Sequence, residues 1–151
     1  MLRAMTDDDL EWFGAHVRGV VVADLVTAGY DEPEARKIAD EQVAAVLVDG
    51  RLPPGHQVCQ VVREDDAIGH VWYGPDPGSA TGLWWIYELE LERTARDAGI
   101  EDQVLALVED DVRQRGGTAI AVRVAAHQDA LRHRYEHAGF RAVSTLMRKA
   151  L

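Results

Sequence analysis

Residues 83–124 run from an apolar strand through an amphipathic helix to a second apolar strand, and this order constrains the fold more than any other feature of the chain. Leu83–Leu91 is aromatic-rich and then alternates, as a central strand does. Gly99–Arg115 has apolar residues in helical register and stops at two glycines. Ala119–Val124 is the second strand. Strands joined by a helix need a crossover connection, so the segment predicts an α/β protein.

The part of the chain before Leu83 predicts two helices and an antiparallel hairpin. Thr6 is followed by three aspartates, which is typical of a helix N-cap with acids in the first turn. Asp31 and Pro33 indicate a second helix start. The runs QVCQVV and AIGHVWYG alternate on either side of an acidic turn, as the strands of a hairpin do. We expect the hairpin and a short extended start, Leu2–Met5, to join the same sheet.

Two further elements complete the expected fold. Gln128–Ala138 predicts a short helix closed by Gly139, and Phe140–Met147 predicts a last strand. We therefore expect one α/β domain over residues 1–151, with a mixed, mostly antiparallel sheet of about six strands and about four flanking helices. A length of 151 residues and a hydrophobic content of 47% suit a single domain with its own core.

Composition excludes several classes of partner. The chain has 16 basic and 26 acidic residues, and its net charge of -10 repels nucleic-acid phosphates, so we expect no nucleic-acid partner. No apolar run approaches the roughly 18 residues of a membrane span, and the N-terminus lacks a signal-peptide pattern. The single cysteine, Cys59, suits a reducing compartment. We expect a cytoplasmic protein with no membrane partner, whose acidic surface favours a cationic substrate.

Five segments together resemble the Gcn5-related N-acetyltransferase (GNAT) superfamily. They are LRAMTDDDL, IGHVWYG, IYELEL, RDAGIEDQVLALVEDD and RYEHAGFRAVSTLMRKAL, in that order. The resemblance covers nearly the whole chain and implies the single-domain GNAT fold. In that family a central strand splays from its neighbour, acyl-coenzyme A lies in the gap, and its pyrophosphate sits at the start of the following helix. A helix N-terminus suits this role because it offers unpaired N–H donors and partial positive charge.

The loop that would hold the pyrophosphate departs from the family pattern. The family has Arg or Gln, two residues, Gly, one residue, then Gly or Ala; Arg96 and Gly99 match, but Glu101 takes the small-residue position and Asp102 follows. A carboxylate about 4 Å from a phosphate charge costs roughly 1 kcal/mol in water and roughly 4 kcal/mol at an effective dielectric of 20. The acids also complement the helix dipole without any ligand. The loop therefore predicts either weakened cofactor binding or a site closed by its own acids.

The resemblance implies acetyl-coenzyme A as the cofactor. The residues expected to contact it are Leu89, Leu91, Arg96, Asp97, Ala98, Gly99, Ile100, Glu101 and Gln128.

The resemblance also implies a catalytic acid and a catalytic base. Tyr135 matches the tyrosine that in the family protonates the departing thiolate, a role that suits a phenol because it is neutral near pH 7. A buried ring packed on the sheet is the structural alternative. Glu88 and Glu90 alternate with leucines and so share one face of the strand. Glu90 stands where many family members keep an acid that deprotonates the amine; the alternative is an acid on a solvated strand face or the partner of a neighbouring arginine.

Three residues in the same predicted strand as Glu90 are candidates for the substrate pocket: Trp84, Trp85 and Glu88. The two tryptophans straddle the strand, so one is expected in the core and the other at the opening, although core packing accounts for either. His133 and His137 have the spacing of a helical metal pair but no recognisable third ligand, so we expect no metal.

Two functions fit these residues. The first is an acyl-coenzyme A-dependent N-acyltransferase that transfers an acetyl group to the amine of a small molecule by direct attack. The alternative is a GNAT-fold protein that has lost normal coenzyme A binding and acts as a binding or regulatory module, or catalyses a different reaction in the same cleft. An apolar last strand at a sheet edge would also suit pairing with a second copy, so a homodimer is one expected assembly.

Overall fold

The computed structural model describes residues 1–48, 51–78, 81–97, 99–149 and 151, and only the backbone of residues 45, 46, 96 and 97. The elements in chain order are β1 Leu2–Ala4, α1 Asp7–Thr27, α2 Glu32–Val46, β2 Gln57–Arg63, β3 Asp66–Pro75, β4 Leu83–Leu91, α3 Arg93–Asp97, α4 Ile100–Gln114, β5 Ala119–Val122 and α5 Asp129–His137.

One mixed sheet has the strand order β1-β2-β3-β4-β5. The first four strands pair antiparallel, and β4 pairs parallel with β5 through the α4 crossover. The α/β class and the mostly antiparallel sheet predicted from the sequence are confirmed. The short helix α3 was not predicted.

Local signals set the starts of the first two helices. The Thr6 side chain accepts from the backbone N–H of Asp9, and the Asp9 carboxylate accepts from the backbone N–H of Thr6 at 2.9 Å, which forms a capping box. The Asp31 carboxylate accepts from the backbone N–H of Glu34 at 2.8 Å. Side-chain oxygens thus satisfy backbone donors that the helices leave unpaired, as both sequence patterns predicted.

Apolar side chains pack against both faces of the sheet. The α4 face carries the larger cluster, in which Val104, Leu105, Val108 and Val112 of α4 pack on side chains of β2, β3 and β4. The α1 face carries a smaller cluster formed by Phe13, Val17, Val58 and Trp72.

A β-bulge in β4 changes which residues face each side. The ladder pairs Trp72 with Glu88 and Tyr73 with Ile86, which leaves Tyr87 as an extra residue. Ile86 belongs to the α4-face cluster, whereas Tyr87 packs against the α1-face cluster. Because of the bulge, Glu88 also lies on the α1 face, opposite Trp72.

The last expected strand is absent. Phe140–Met147 forms no strand in the described part of the chain, so the sheet has five strands rather than six. Residues 141–149, which we term the C-terminal arm, are exposed. The arm runs to the turn between α1 and α2, where Arg148 Nη2 lies 3.2 Å from Glu34 Oε2. An apolar alternating segment becomes a strand only if it can pair with a free sheet edge, and the arm lies against the start of α2 instead of beside such an edge.

Candidate active site

The site begins where β4 and β5 separate. The ladder between them joins Leu83–Ile86 to Ala119–Val122, whereas β4 continues to Leu91 with no β5 partner among the described residues. The bulge at Tyr87 lies at the point of separation. The result is a gap at the carboxyl ends of two parallel strands, which is where open α/β sheets bind ligands.

Tyr135 of α5 packs in the α4-face cluster, which also includes Leu89 and Leu91 from the part of β4 beyond the β5 ladder. Its side chain is buried, and its ring packs edge-on against Phe140, with the centroids 5.2 Å apart. Burial raises the pKa of the Tyr135 phenol, and the negative charges of Glu101 and Glu88 raise it further. The phenol is therefore neutral near pH 7 and lies within electrostatic range of both carboxylates.

Glu88 is the more buried of the two strand acids. Burial raises the pKa of its carboxyl group to about 7, and the charge of Glu90 adds to the shift, while His16 opposes it. A carboxyl group with such a pKa exchanges a proton near neutral pH. Glu88 lies on the α1 face and Tyr135 packs in the α4-face cluster, and the charge of Glu88 still contributes to the raised pKa of Tyr135.

Glu90 has a histidine partner that sequence reasoning did not identify. Its carboxylate Oε2 lies 2.8 Å from Nε2 of His16 on α1, and its side chain is 46% exposed. Glu90 lies opposite His70 of β3 in the ladder. The two strand acids share the α1 face, as their alternation predicted, but they have different surroundings.

The start of α4 offers its backbone donors without a side-chain cap. Gly99 is the N-cap residue in a left-handed conformation, with φ 72° and ψ 18°, which favours glycine, and it forms no side-chain cap hydrogen bond. Ile100 begins the helix. Ala98 lies outside the described residues, as do the side chains of Arg96 and Asp97.

Glu101 lies in the first turn of α4 and has an ion-pair partner on another helix. It is buried, and its Oε2 lies 3.0 Å from Nε of Arg134 on α5. Glu101 is the departure from the family's loop pattern noted above, and the positive charge of Arg134 neutralises it. The repulsion expected between an unpaired carboxylate and a phosphate is therefore reduced. Asp102 is exposed.

The comparisons with known proteins identify the family. A model of the Acetyltransferase (GNAT) family matches residues 19–140. The chain belongs to the GNAT family. It is similar to the uncharacterised N-acetyltransferase YycN of Bacillus subtilis, with 26% identity over 100% of this chain and 98% of that protein. A second Bacillus subtilis relative, the uncharacterised N-acetyltransferase YdgE, is 23% identical over 99% of this chain and 97% of its own.

Solved structures show the same fold. The crystal structure of YycN from Bacillus subtilis superposes with a TM-score of 0.88, covering 100% of this chain and 98% of that one at 24% identity. The structure of AAC(6')-Iy in complex with the bisubstrate analogue CoA-S-monomethyl-acetylneamine superposes with a TM-score of 0.64, covering 100% and 97% at 13% identity. The GNAT resemblance inferred from the sequence is confirmed.

The other predicted contacts of this GNAT protein are spread around the gap. Leu91 is buried and Leu89 half-buried, and both side chains pack in the α4-face cluster. Gln128 links the loop after β5 to α1, because its Oε1 accepts from the Ala125 backbone N–H at 3.3 Å and its Nε2 donates to Asp24 at 3.4 Å. The gap therefore has apolar walls on the α4 face and a polar rim near α1.

The two tryptophans lie on different faces. Trp84 is buried in the α4-face cluster, so it lies across the sheet from Glu88. A Cβ atom on Gly117 would come within 2.8 Å of Trp84 Nε1, which shows how closely the ring is packed. Trp85 is half-buried under the guanidinium of Arg123, 5.6 Å from its ring centroid.

Sequence reasoning missed two histidines on the α1 face. His16 and His70 lie beside Glu90 in a cavity of about 330 Å³, which Trp12, Gln60 and Glu92 also line. His16 comes from α1 and His70 from β3, so no spacing rule joins them. Alternation in the sequence did not reveal the pairing, because the register that places His70 opposite Glu90 belongs to the β3–β4 ladder seen only in the structure.

Proposed function

We propose that this protein is an N-acetyltransferase that transfers an acetyl group from acetyl-coenzyme A to the amine of a small molecule by direct attack. The observation that carries the proposal is the gap where β4 continues past its ladder with β5, with the half-buried carboxyl group of Glu88 on that free part of β4. Membership of the GNAT family supports the reaction class.

The residues present fit the cofactor. The gap offers an open β4 edge, Gly99 leaves the first turn of α4 uncapped, and Glu101 is paired with Arg134. Acetyl-coenzyme A supplies the activated thioester. The chain supplies backbone donors and a helix N-terminus at which a pyrophosphate is stabilised.

Two side chains handle the protons. An attacking amine must lose a proton, and we assign its acceptance to the Glu88 carboxylate rather than to Glu90, because partial burial raises the pKa of Glu88 to about 7 whereas Glu90 is already bound to His16. The departing thiolate gains a proton, which we assign to the Tyr135 hydroxyl. Positioning the Glu88 carboxylate and the Tyr135 hydroxyl near one gap lowers the entropic cost of orienting the amine and the thioester for reaction.

A cationic small molecule is the substrate class that we propose. The protein carries a net charge of -10, and Glu88, Glu90 and Asp24 lie together on the α1 side of the gap. A positively charged amine is attracted to such a surface. The complex of AAC(6')-Iy with a coenzyme A–acetylneamine analogue supports aminoglycosides as the first compounds to assay.

Isothermal titration with acetyl-coenzyme A at low and moderate salt tests cofactor binding. We expect a dissociation constant in the micromolar range, about -8 kcal/mol. A panel of aminoglycosides and polyamines, assayed by release of free thiol, then tests transfer. Absence of binding up to millimolar acetyl-coenzyme A would refute the proposal and leave a GNAT fold that has lost its cofactor.

A further inference from the structure

Three groups that bind metals meet on the α1 face. His16 of α1, His70 of β3 and Glu90 of β4 each offer one ligand atom, and these atoms all lie within 4.8 Å of one another. His16 Nε2 lies 2.8 Å from Glu90 Oε2. The imidazole rings of His16 and His70 are nearly perpendicular, at 89°, with centroids 5.1 Å apart.

A second observation points to a ligand at this cluster. His70 is 6% exposed, and its Nε2 has no hydrogen-bond partner among the residues that the structure describes. A buried polar atom without a partner costs about 1–3 kcal/mol, and most such atoms in proteins are satisfied. A bound cation would remove this cost, because it would accept the nitrogen lone pair.

Aromatic packing holds the two imidazoles in place. Trp12 stacks on His16 with centroids 5.0 Å apart, and Phe13 packs edge-on against His70 at 5.3 Å. Ligands that neighbouring side chains orient bind a metal with less loss of conformational freedom. The cavity of about 330 Å³ leaves room for a further ligand beside the cluster.

The donor set selects the type of cation. Two imidazole nitrogens and one carboxylate oxygen suit Zn²⁺ and its late first-row neighbours, whereas Ca²⁺ and Mg²⁺ prefer oxygen ligands alone. A tetrahedral Zn²⁺ site with bonds of about 2.0–2.1 Å holds its ligand atoms roughly 3.3 Å apart. Small side-chain rotations would bring the third ligand atom to that distance.

We propose that His16, His70 and Glu90 form a binding site for a Zn²⁺-like divalent ion, with a fourth position open to the cavity. The site does not depend on acetyl transfer. The metal site lies on the α1 face, and its ligand Glu90 is two residues after Glu88 in β4. A bound metal ion would therefore add positive charge on the side where we expect the amine to enter.

Metal binding to the full chain tests the proposal directly. The protein is stripped with a chelator and titrated with Zn²⁺ against a chromophoric competitor, and with Co²⁺ to record its visible d–d bands. We expect one high-affinity ion per chain and a four-coordinate Co²⁺ spectrum. Absence of saturable Zn²⁺ binding below millimolar concentration overturns the proposal.

Variants locate the site. His16→Gln and Glu90→Gln change partly exposed side chains, and each is expected to weaken Zn²⁺ binding at least 100-fold while far-UV circular dichroism stays unchanged. The control is His133→Gln with His137→Gln, which removes an exposed histidine pair on α5 and is expected to change nothing. If the control abolishes binding while His16→Gln and Glu90→Gln retain it, the assignment is wrong.

Discussion

The two faces of the sheet are built differently. The α4 face is a continuous apolar cluster, closed by four buried side chains of one helix. The α1 face has a smaller apolar cluster, and it includes two buried histidines, His56 and His70, and the half-buried acid Glu88. Buried polar groups cost free energy unless they are satisfied. The contrast fits our proposal, in which the α4 face stabilises the fold and the polar groups of the α1 face meet the substrate amine.

The largest expected effect concerns proton transfer at the gap. Glu88→Gln and Tyr135→Phe should each lower kcat by about 10²–10⁴-fold, since each removes one general acid or base. Tyr73→Phe is the matched control for Tyr135→Phe: it removes a buried hydroxyl, bonded to Asp111 at 2.9 Å, away from the gap. Equal losses of kcat in the two tyrosine variants would show that the effect is structural.

Core truncations compare the faces directly. Phe13→Ala on the α1 face should lower the free energy of unfolding by about 3–5 kcal/mol, and Val108→Ala on the α4 face by about 2 kcal/mol, because each leaves a cavity at a fully buried position. Urea unfolding measures both. Phe13→Ala should also weaken Zn²⁺ binding, since Phe13 packs against His70, whereas Val108→Ala should leave it unchanged.

The Glu101–Arg134 pair can be tested through cofactor affinity. Arg134→Gln leaves a carboxylate unpaired at the start of α4, which should weaken acetyl-coenzyme A binding by about tenfold in isothermal titration. Arg132→Gln is the control, because Arg132 pairs with Asp129 and Glu136 on α5 itself. Glu101→Gln combined with Arg134→Gln should restore the affinity. If Arg134→Gln binds the cofactor as tightly as the unmodified chain, the pair has no part in the site.

The buried His56 predicts a loss of stability in acid. Burial lowers the pKa of His56, and its Nδ1 accepts a hydrogen bond from Trp72 Nε1 at 3.3 Å, so the folded state favours the neutral ring. The unfolded chain binds a proton near pH 6.5, which means that stability should fall as the pH drops below about 6.5. Urea unfolding at pH 7 and pH 5, with chelator present, should show a smaller fall for His56→Gln. His133→Gln should behave like the unmodified chain.

The smallest effect on stability is expected in the C-terminal arm, which belongs to neither face. Val143 and Leu146 are 92% and 90% exposed, so Val143→Ser with Leu146→Ser should change the free energy of unfolding by less than about 0.5 kcal/mol. If the arm pairs with a second copy, light scattering should find a dimer for the unmodified chain and a monomer for this variant. If the unmodified chain and the variant are both monomers, the expectation of a homodimer is wrong.

The sequence predicted elements whose signals are local. The caps at Thr6 and Asp31 are each visible within a few residues, and the β4–α4–β5 order is visible along one continuous segment of the chain; all three are confirmed. The strand over Phe140–Met147 was wrong because pairing depends on a distant sheet edge that alternation cannot reveal.

The site was predicted less completely. Alternation placed Glu88 and Glu90 on one face, but the partners of Glu90 and Glu101 are contacts between distant elements, and no sequence pattern joins them. The bulge left no signal in the sequence, because residues 83–87 are apolar or aromatic at every position and alternation begins only at Glu88.

The extra residue at Tyr87 makes the register of β4 as important as its composition. If β4 continued regularly beyond Ile86, with Tyr87 opposite Trp72, the strand would keep its hydrogen bonds but exchange its two sides. Both glutamates would then enter the apolar α4 face, and the two leucines would face α1. Deletion of Tyr87 would instead remove the bulge and leave Glu88 opposite Trp72, so the strand can lose this one residue and keep both of its faces.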